Sequence, residues 1–252
     1  MQTLWLKLAM TPVLMAGATW SVRRWGPAVG GWIIGLPLTS GPISLFLYLE
    51  RGPAFAAHAA VSTLLGINGV TVCVVTYAHV ARRRGWPATV SASLAGFIVM
   101  TALLRPLVVS APVAFIGSAL LAAAGLWTLP RAVRVNLGPA PRWDLPARVV
   151  LALAMVLFIT ESADRLGPTL SGLLSPFPVF TLVMAVFSHQ QTGGLVATPY
   201  ARGLLTSIVG FAAFFLVVSL TLEPLGLPSF ALATLAALVV GGLAAAVASA
   251  LA

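Results

Sequence analysis

Two short stretches and two cations are the places where this chain could do chemistry. The stretches are GLPLTSGP (residues 35–42) and SPFPVF (175–180), each set inside an otherwise apolar run. Proline within a helix removes a backbone hydrogen bond and clashes with the preceding turn, at a cost of roughly 3 kcal/mol. A break of this kind frees amides and carbonyls, which lipid tolerates only where protein or a wet cavity satisfies them. Gly35, Pro37, Gly41 and Pro42 mark one break; Pro176 and Pro178 mark the other. Thr39, Ser40 and Thr181 supply hydroxyls to satisfy the freed groups, so these positions are the candidate binding residues. A pair of simple kinks, repaired by neighbouring helices, is the structural alternative.

The cations are Lys7 and Arg148, each inside an apolar segment. Ionisable residues within a membrane are costly and usually functional. Facing inward, the two would form a cationic pair suited, with helix N-termini from the breaks, to an anion. Facing outward, they would snorkel to the interface from near their helix starts. Glu161 and His58 are the candidates for proton coupling; exposure near a span end and plain packing are their structural readings. Arg202 sits in an apolar run without a counterpart cation. No His/Cys/Asp cluster has metal spacing, no Ser–His–Asp set is apparent, and no phosphate-binding glycine motif occurs. No metal, cofactor or ATP-driven step is expected, and an enzyme is the weakest reading.

The elements holding these residues follow from composition. The 252 residues are 60% hydrophobic and 8% charged, with a mean hydropathy of +1.03. Globular domains carry about 25% charged residues, and about 20 apolar residues span a bilayer. The chain therefore reads as an all-α integral membrane protein whose first partner is the lipid bilayer. Its net charge of +9 reflects arginines in short loops that set topology, not nucleic-acid binding. The one cysteine, Cys73, lies in an apolar run and reads as a small core residue. The opening MQTLWLKLAMTPVLMAGATW has the outline of a secretory signal but no basic segment ahead of its apolar run, and is expected to be a mature helix.

Apolar runs between charged or Pro/Gly punctuation give nine expected spans: 4–21, 27–49, 54–81, 87–104, 107–128, 146–162, 168–189, 195–222 and 228–250. With the N-terminus outside, inside loops hold Arg23, Arg24, Arg82, Arg83, Arg84, Arg131, Arg134 and Arg142. Outside loops hold only Arg51, Arg105 and Arg165. Positive residues favour the cytoplasm, so the expected topology is N-out, C-in.

The chain also matches itself at one ungapped offset, 141 positions. Gly26 falls on Gly167, Pro27 on Pro168, Gly31 on Gly172, Pro37 on Pro178, Gly52 on Gly193, Gly69 on Gly210 and Pro87 on Pro228. Lys7 falls on Arg148. This predicts two four-helix repeats (1–105 and 144–252) with broken second helices, joined by a linker helix and cytoplasmic loop (106–143). One extra helix between them makes the repeats inverted. Charge agrees: Arg82, Arg83 and Arg84 become Glu223, Pro224 and Leu225, as a loop moved outside would.

The run Ser171–Leu182, with Phe177, Pro178 and Phe180, resembles the GlpM-like family of small four-helix bacterial inner-membrane proteins. In that family a first-helix cation precedes a G-L…F-P-x-F break, and Glu-Arg-Gly follows the second helix. The cation stands in both repeats here (Lys7, Arg148), F-P-x-F only in the second, and Glu-Arg-Gly only in the first (Glu50, Arg51, Gly52). The resemblance covers about two dozen residues per repeat. It implies bacterial inner-membrane residence and the repeat architecture, adds Phe180 to the candidate site, and names no substrate.

Inverted repeats with paired broken helices place a site at the midplane between them. The expected function is therefore a secondary transporter or permease for a small, anionic solute or ion. A channel or passive pore is one alternative; a lipid-handling partner of an envelope-assembly system is another.

Overall fold

The computed structural model describes residues 2–38, 40–131, 141–163 and 175–250, and side chains throughout these except at 2–4, 6–8, 155–163 and 249. The described residues form helices joined by short connections, with no strand. In order they form α1 (Gln2–Trp25), α2 (Pro27–Ile34), α3 (Ser40–Arg51), α4 (Pro53–Val80), α5 (Trp86–Leu104), α6 (Ala111–Thr128), α7 (Asp144–Ala163), α8 (Val179–Thr192), α9 (Ala197–Leu225) and α10 (Pro228–Ala250).

Proline at the first or second position starts α2, α4, α5 and α6, where its missing N–H would be unpaired in any case. Two corners use glycine for a different reason. Gly52 (φ 87°, ψ 170°) turns α3 into α4, and Gly193 (φ 84°, ψ 169°) ends α8. That region of backbone space is essentially restricted to glycine. The two corners are 141 positions apart and have the same geometry.

The bundle is built round α4 and α9, which pack against each other and against α6. The most apolar windows of these two helices are 78% and 72% buried, against 22%, 28% and 17% for α5, α6 and α10. The outer three instead expose large apolar side chains such as Ile98, Leu103, Leu120, Leu235 and Leu243. A ring of exposed apolar faces around a buried pair is what lipid as solvent demands. Among the described residues, five helices are long and apolar enough to cross a bilayer: Pro53–Val80, Trp86–Leu104, Ala111–Thr128, Gly194–Leu225 and Pro228–Ala248. The chain is a helical membrane protein.

Close approaches between helices occur at glycine. Gly69 on α4 faces Phe97 and Thr101 of α5, and Gly210 on α9 faces Ala237 and Gly241 of α10. Small residues let backbones meet where lipid gives helices no hydrophobic reason to associate. Gly117 and Gly242, by contrast, have nothing within 4 Å of an added Cβ. The expected span 107–128 starts later, at Ala111. Pro106 and Pro112 bracket that non-helical entry.

Candidate functional site

The run 27–49 is broken in two. α2 ends at Ile34 and α3 begins at Ser40. In the break, the Leu38 amide donates to the Leu36 carbonyl (2.7 Å), and the Gly41 amide to that of Pro37 (2.9 Å). The second break repeats this pattern. The Val179 amide donates to the Phe177 carbonyl (2.8 Å), and the Leu182 amide to that of Pro178 (2.8 Å). Each is a three-residue γ-turn centred on proline, whose carbonyl then opens the next helix. Pro178, at φ −79° and ψ 54°, sits near the inverse γ-turn minimum. Pro37 and Pro178 are the prolines that coincide at the 141-residue offset.

The breaks meet. The Ser40 hydroxyl donates to the Ser175 carbonyl at 3.2 Å. Between them lies a cavity lined on the break side by Gly35, Ser40, Pro176, Pro178, Phe180 and Thr181. Its central wall is apolar, from Ile67 and Val70 of α4 and Leu204, Ile208 and Phe211 of α9. About 40 Å³ is open to the centres of water-sized molecules, room for roughly three waters at ~10–15 Å³ each.

What holds α2 in place is a backbone-to-backbone contact with α9. A Cβ on Gly203 would overlap the Ala28 carbonyl oxygen, and one on Gly31 would overlap that of Tyr200. At the end of α2, Gly35 leaves room for the buried Ser207 hydroxyl, which closes no hydrogen bond.

Six of the sequence-derived binding residues thus line one cavity. Pro37 centres its turn but does not line it, and Thr39 falls outside the described residues. Lys7 lies on α1 and Glu161 on α7, with side chains outside the description. His58 is exposed near the start of α4 and lines no cavity.

Arg148 requires a correction: it is not at the breaks. It is buried to 3% exposure, and its Nε donates to both Asp144 carboxylate oxygens (2.9 and 3.0 Å). Its Nη1 donates to the Met184 sulfur at 3.0 Å, and its guanidinium lies over the Phe187 ring at 4.9 Å. Asp144 also accepts from Arg23 (2.8 Å) and Gln191 (2.5 Å). A buried cation needs a counter-ion. The charge is thereby committed to a cluster at one end of the bundle, not to a midplane anion.

Sequence reasoning missed two further features. A smaller cavity of about 20 Å³ shares Thr181 with the first and continues along Cys73, Tyr77, Ala185 and Tyr200. At its end the Tyr77 hydroxyl lies 3.4 Å from His189 Nδ1. Beyond the other end of the break cavity stand aromatic rings in tilted and edge-to-face contact: Phe211–Phe215, Phe214–Phe215, Phe214–Phe230 and Tyr48–Phe230. Comparison with protein-family models, with curated proteins and with solved structures returns no match.

Proposed function

We propose that the chain is a secondary transporter, two inverted four-helix repeats about a linker helix, carrying a small solute through the cavity between the breaks. The observation that carries this reading is the repeated γ-turn. The same backbone device, at positions 141 apart, occurs twice in one chain, and the two copies touch across one cavity. Paired interruptions of this kind at a repeat interface are the sequence and structural mark of a midplane transport site.

Helix ends support the topology. Arg23 meets Asp144, Gln191 meets Asp144, His79 meets the Thr128 carbonyl, and Gly194 abuts Ala81. One end of the bundle thus gathers the ends of α1, α4, α6 and α8 with the start of α7. It is the end bearing Arg23, Arg24, Arg82, Arg83, Arg84, Arg131 and Arg142, and so the cytoplasmic one. At the other end Gly226 stands beside Tyr48. This arrangement fits nine crossings with N-out, C-in, four of them the shorter or more polar segments. Such a chain belongs in a bacterial inner membrane, as the GlpM-like motif also implies.

Two seals support alternating access. Edge-to-face and tilted aromatic rings close the outer side of the cavity, while a thin polar layer, Tyr77 with His189, closes the cytoplasmic side. The substrate follows from the lining. α3 and α8 both begin at the cavity, and helix N-termini carry partial positive charge. With no cation among the described lining residues and an apolar central wall, the fitting solute is a small monoanion with an apolar body, such as a short organic acid.

The test is uptake of short monocarboxylates into proteoliposomes, with counterflow. Saturable uptake and counterflow are expected. Conductance without counterflow would replace the transporter by a channel, and scrambling of anionic lipid with no solute movement would replace it by a lipid-handling protein.

A further inference from the structure

The cytoplasmic end holds a separate cavity whose polar lining is Thr19, Arg23, Arg148, Ser188 and Gln191. Two guanidinium groups face one carboxylate there, so the cluster carries one uncompensated positive charge. Arg148 spends Nε on Asp144 and Nη1 on a sulfur, a weak acceptor. Its Nη2 has no acceptor among the described residues. Arg23 gives Nη2 to Asp144 and leaves its side chain 43% exposed. A pocket with spare guanidinium donors and, among the described residues, a net charge of one suits an anion.

Its surroundings say where that anion comes from. Trp20 and Trp25 lie on α1 near Thr19 and Arg23, Trp143 adjoins Asp144, and the three are 58%, 51% and 58% exposed. Trp86 and Trp127 begin α5 and end α6 at the same end, also exposed. Five of the chain's seven tryptophans therefore ring this end, which sets it at headgroup depth. Basic pockets between membrane helices on the cytoplasmic side suit phosphate headgroups, and a phosphodiester carries the single negative charge the cluster lacks.

We infer that the Arg23–Asp144–Arg148 pocket binds a singly charged phosphate ester, that of an anionic phospholipid headgroup. The site is distinct from the break cavity and does not depend on the transport reading.

The experiment uses the purified full chain in detergent. Retention of phosphatidylglycerol and of diacylglycerol is read by native mass spectrometry, and stabilisation by inorganic phosphate is read by thermal shift. Arg23→Gln keeps the Asp144–Arg148 pair and so keeps the fold, whereas Arg148→Gln would leave Asp144 short of its buried partner. Arg24→Gln, at an exposed arginine without an ion pair, removes the same charge elsewhere. The expected result is retention of phosphatidylglycerol but not diacylglycerol, weakened about tenfold (~1.4 kcal/mol) by Arg23→Gln and unchanged by Arg24→Gln. Arg23-dependent stabilisation by inorganic phosphate without lipid retention would keep the phosphate chemistry and make its source soluble. The inference is overturned if neither ligand binds, or if both variants bind as the unaltered chain does. Equal weakening by Arg24→Gln overturns it too, since bulk charge alone would then account for retention.

Discussion

Replacing Gly203 by alanine tests the contact that positions the break. A Cβ there would overlap the Ala28 carbonyl oxygen, and would lie 2.8 Å from the Ala28 carbonyl carbon and 3.0 Å from the Trp32 amide nitrogen. All three obstacles are backbone of α2, so no side chain can turn aside. Overpacking costs about 1–3 kcal/mol in general, and backbone obstacles put this site at the upper end, about 3 kcal/mol. Alanine's better helix propensity returns up to ~1 kcal/mol, leaving a net loss of about 2 kcal/mol. For a chain of this size that is a fall in Tm of about 4–8 °C. Gly117→Ala and Gly242→Ala are the controls, because nothing lies within 4 Å of either added Cβ. Each should leave Tm unchanged or raise it by up to about 4 °C. Tryptophan fluorescence during heating in detergent reads all three. A Tm for Gly203→Ala at or above that of the unaltered chain would refute the backbone contact, and with it the account of what holds α2 at the cavity.

Arg148→Met should destabilise by about 3–5 kcal/mol, the cost of stripping one partner from a buried ion pair. Asp144→Asn combined with Arg148→Met should recover most of that loss in the same melting assay, and additive losses would show that the two residues act independently. Gly52→Ala and Gly193→Ala should each cost about 1–3 kcal/mol, because both corners lie in glycine-only backbone space. Equal falls in Tm are expected from equal geometry, and a loss at only one corner would count against matched repeats.

The breaks were legible because they depend on local chemistry. Pro37 stands between α2 and α3, and Pro178 directly precedes α8, so the turns fall where the sequence puts them. The Arg148 environment was half legible: Asp144 stands four residues before it, an i,i+4 pair on one helix face. What stayed hidden was Arg23, 121 positions away, since a salt bridge between distant helices leaves no trace in local pattern. The same holds for Tyr77 with His189, 112 positions apart. Glycine in a helix signals that something small is wanted but not which neighbour approaches. Gly210 therefore sits under Gly241 while Gly117 and Gly242 face open space. Among the described residues five long apolar helices stand beside the nine expected spans, and the segment 27–49 is not one of them because it divides into pieces of 8 and 12 residues. α1 falls short in a different way, carrying Lys7, Arg23, Arg24 and Pro12.

On the inverted-repeat reading, the asymmetry of the seals has a definite origin. At the 141-residue offset Tyr48 corresponds to His189, Cys73 to Phe214, Tyr77 to Val218 and Thr89 to Phe230. Glycines and prolines that shape the backbone coincide, whereas the residues that close the two ends have diverged. Outward, two ring pairs join separate helices, Phe214 with Phe230 and Tyr48 with Phe230, each worth about 0.5–1.5 kcal/mol beyond its area. Inward, Tyr77 with His189 stands beside the Arg23–Asp144 and Gln191–Asp144 contacts. The two closures thus differ in chemistry, aromatic outward and polar inward. On the transport reading, the protein exchanges between states open at one end or the other. A ligand shifts such an equilibrium only by its differential affinity for the two states. On that reading, the residues where Phe211 joins the cavity to the aromatic rings are where substrate contact and gate opening would be coupled.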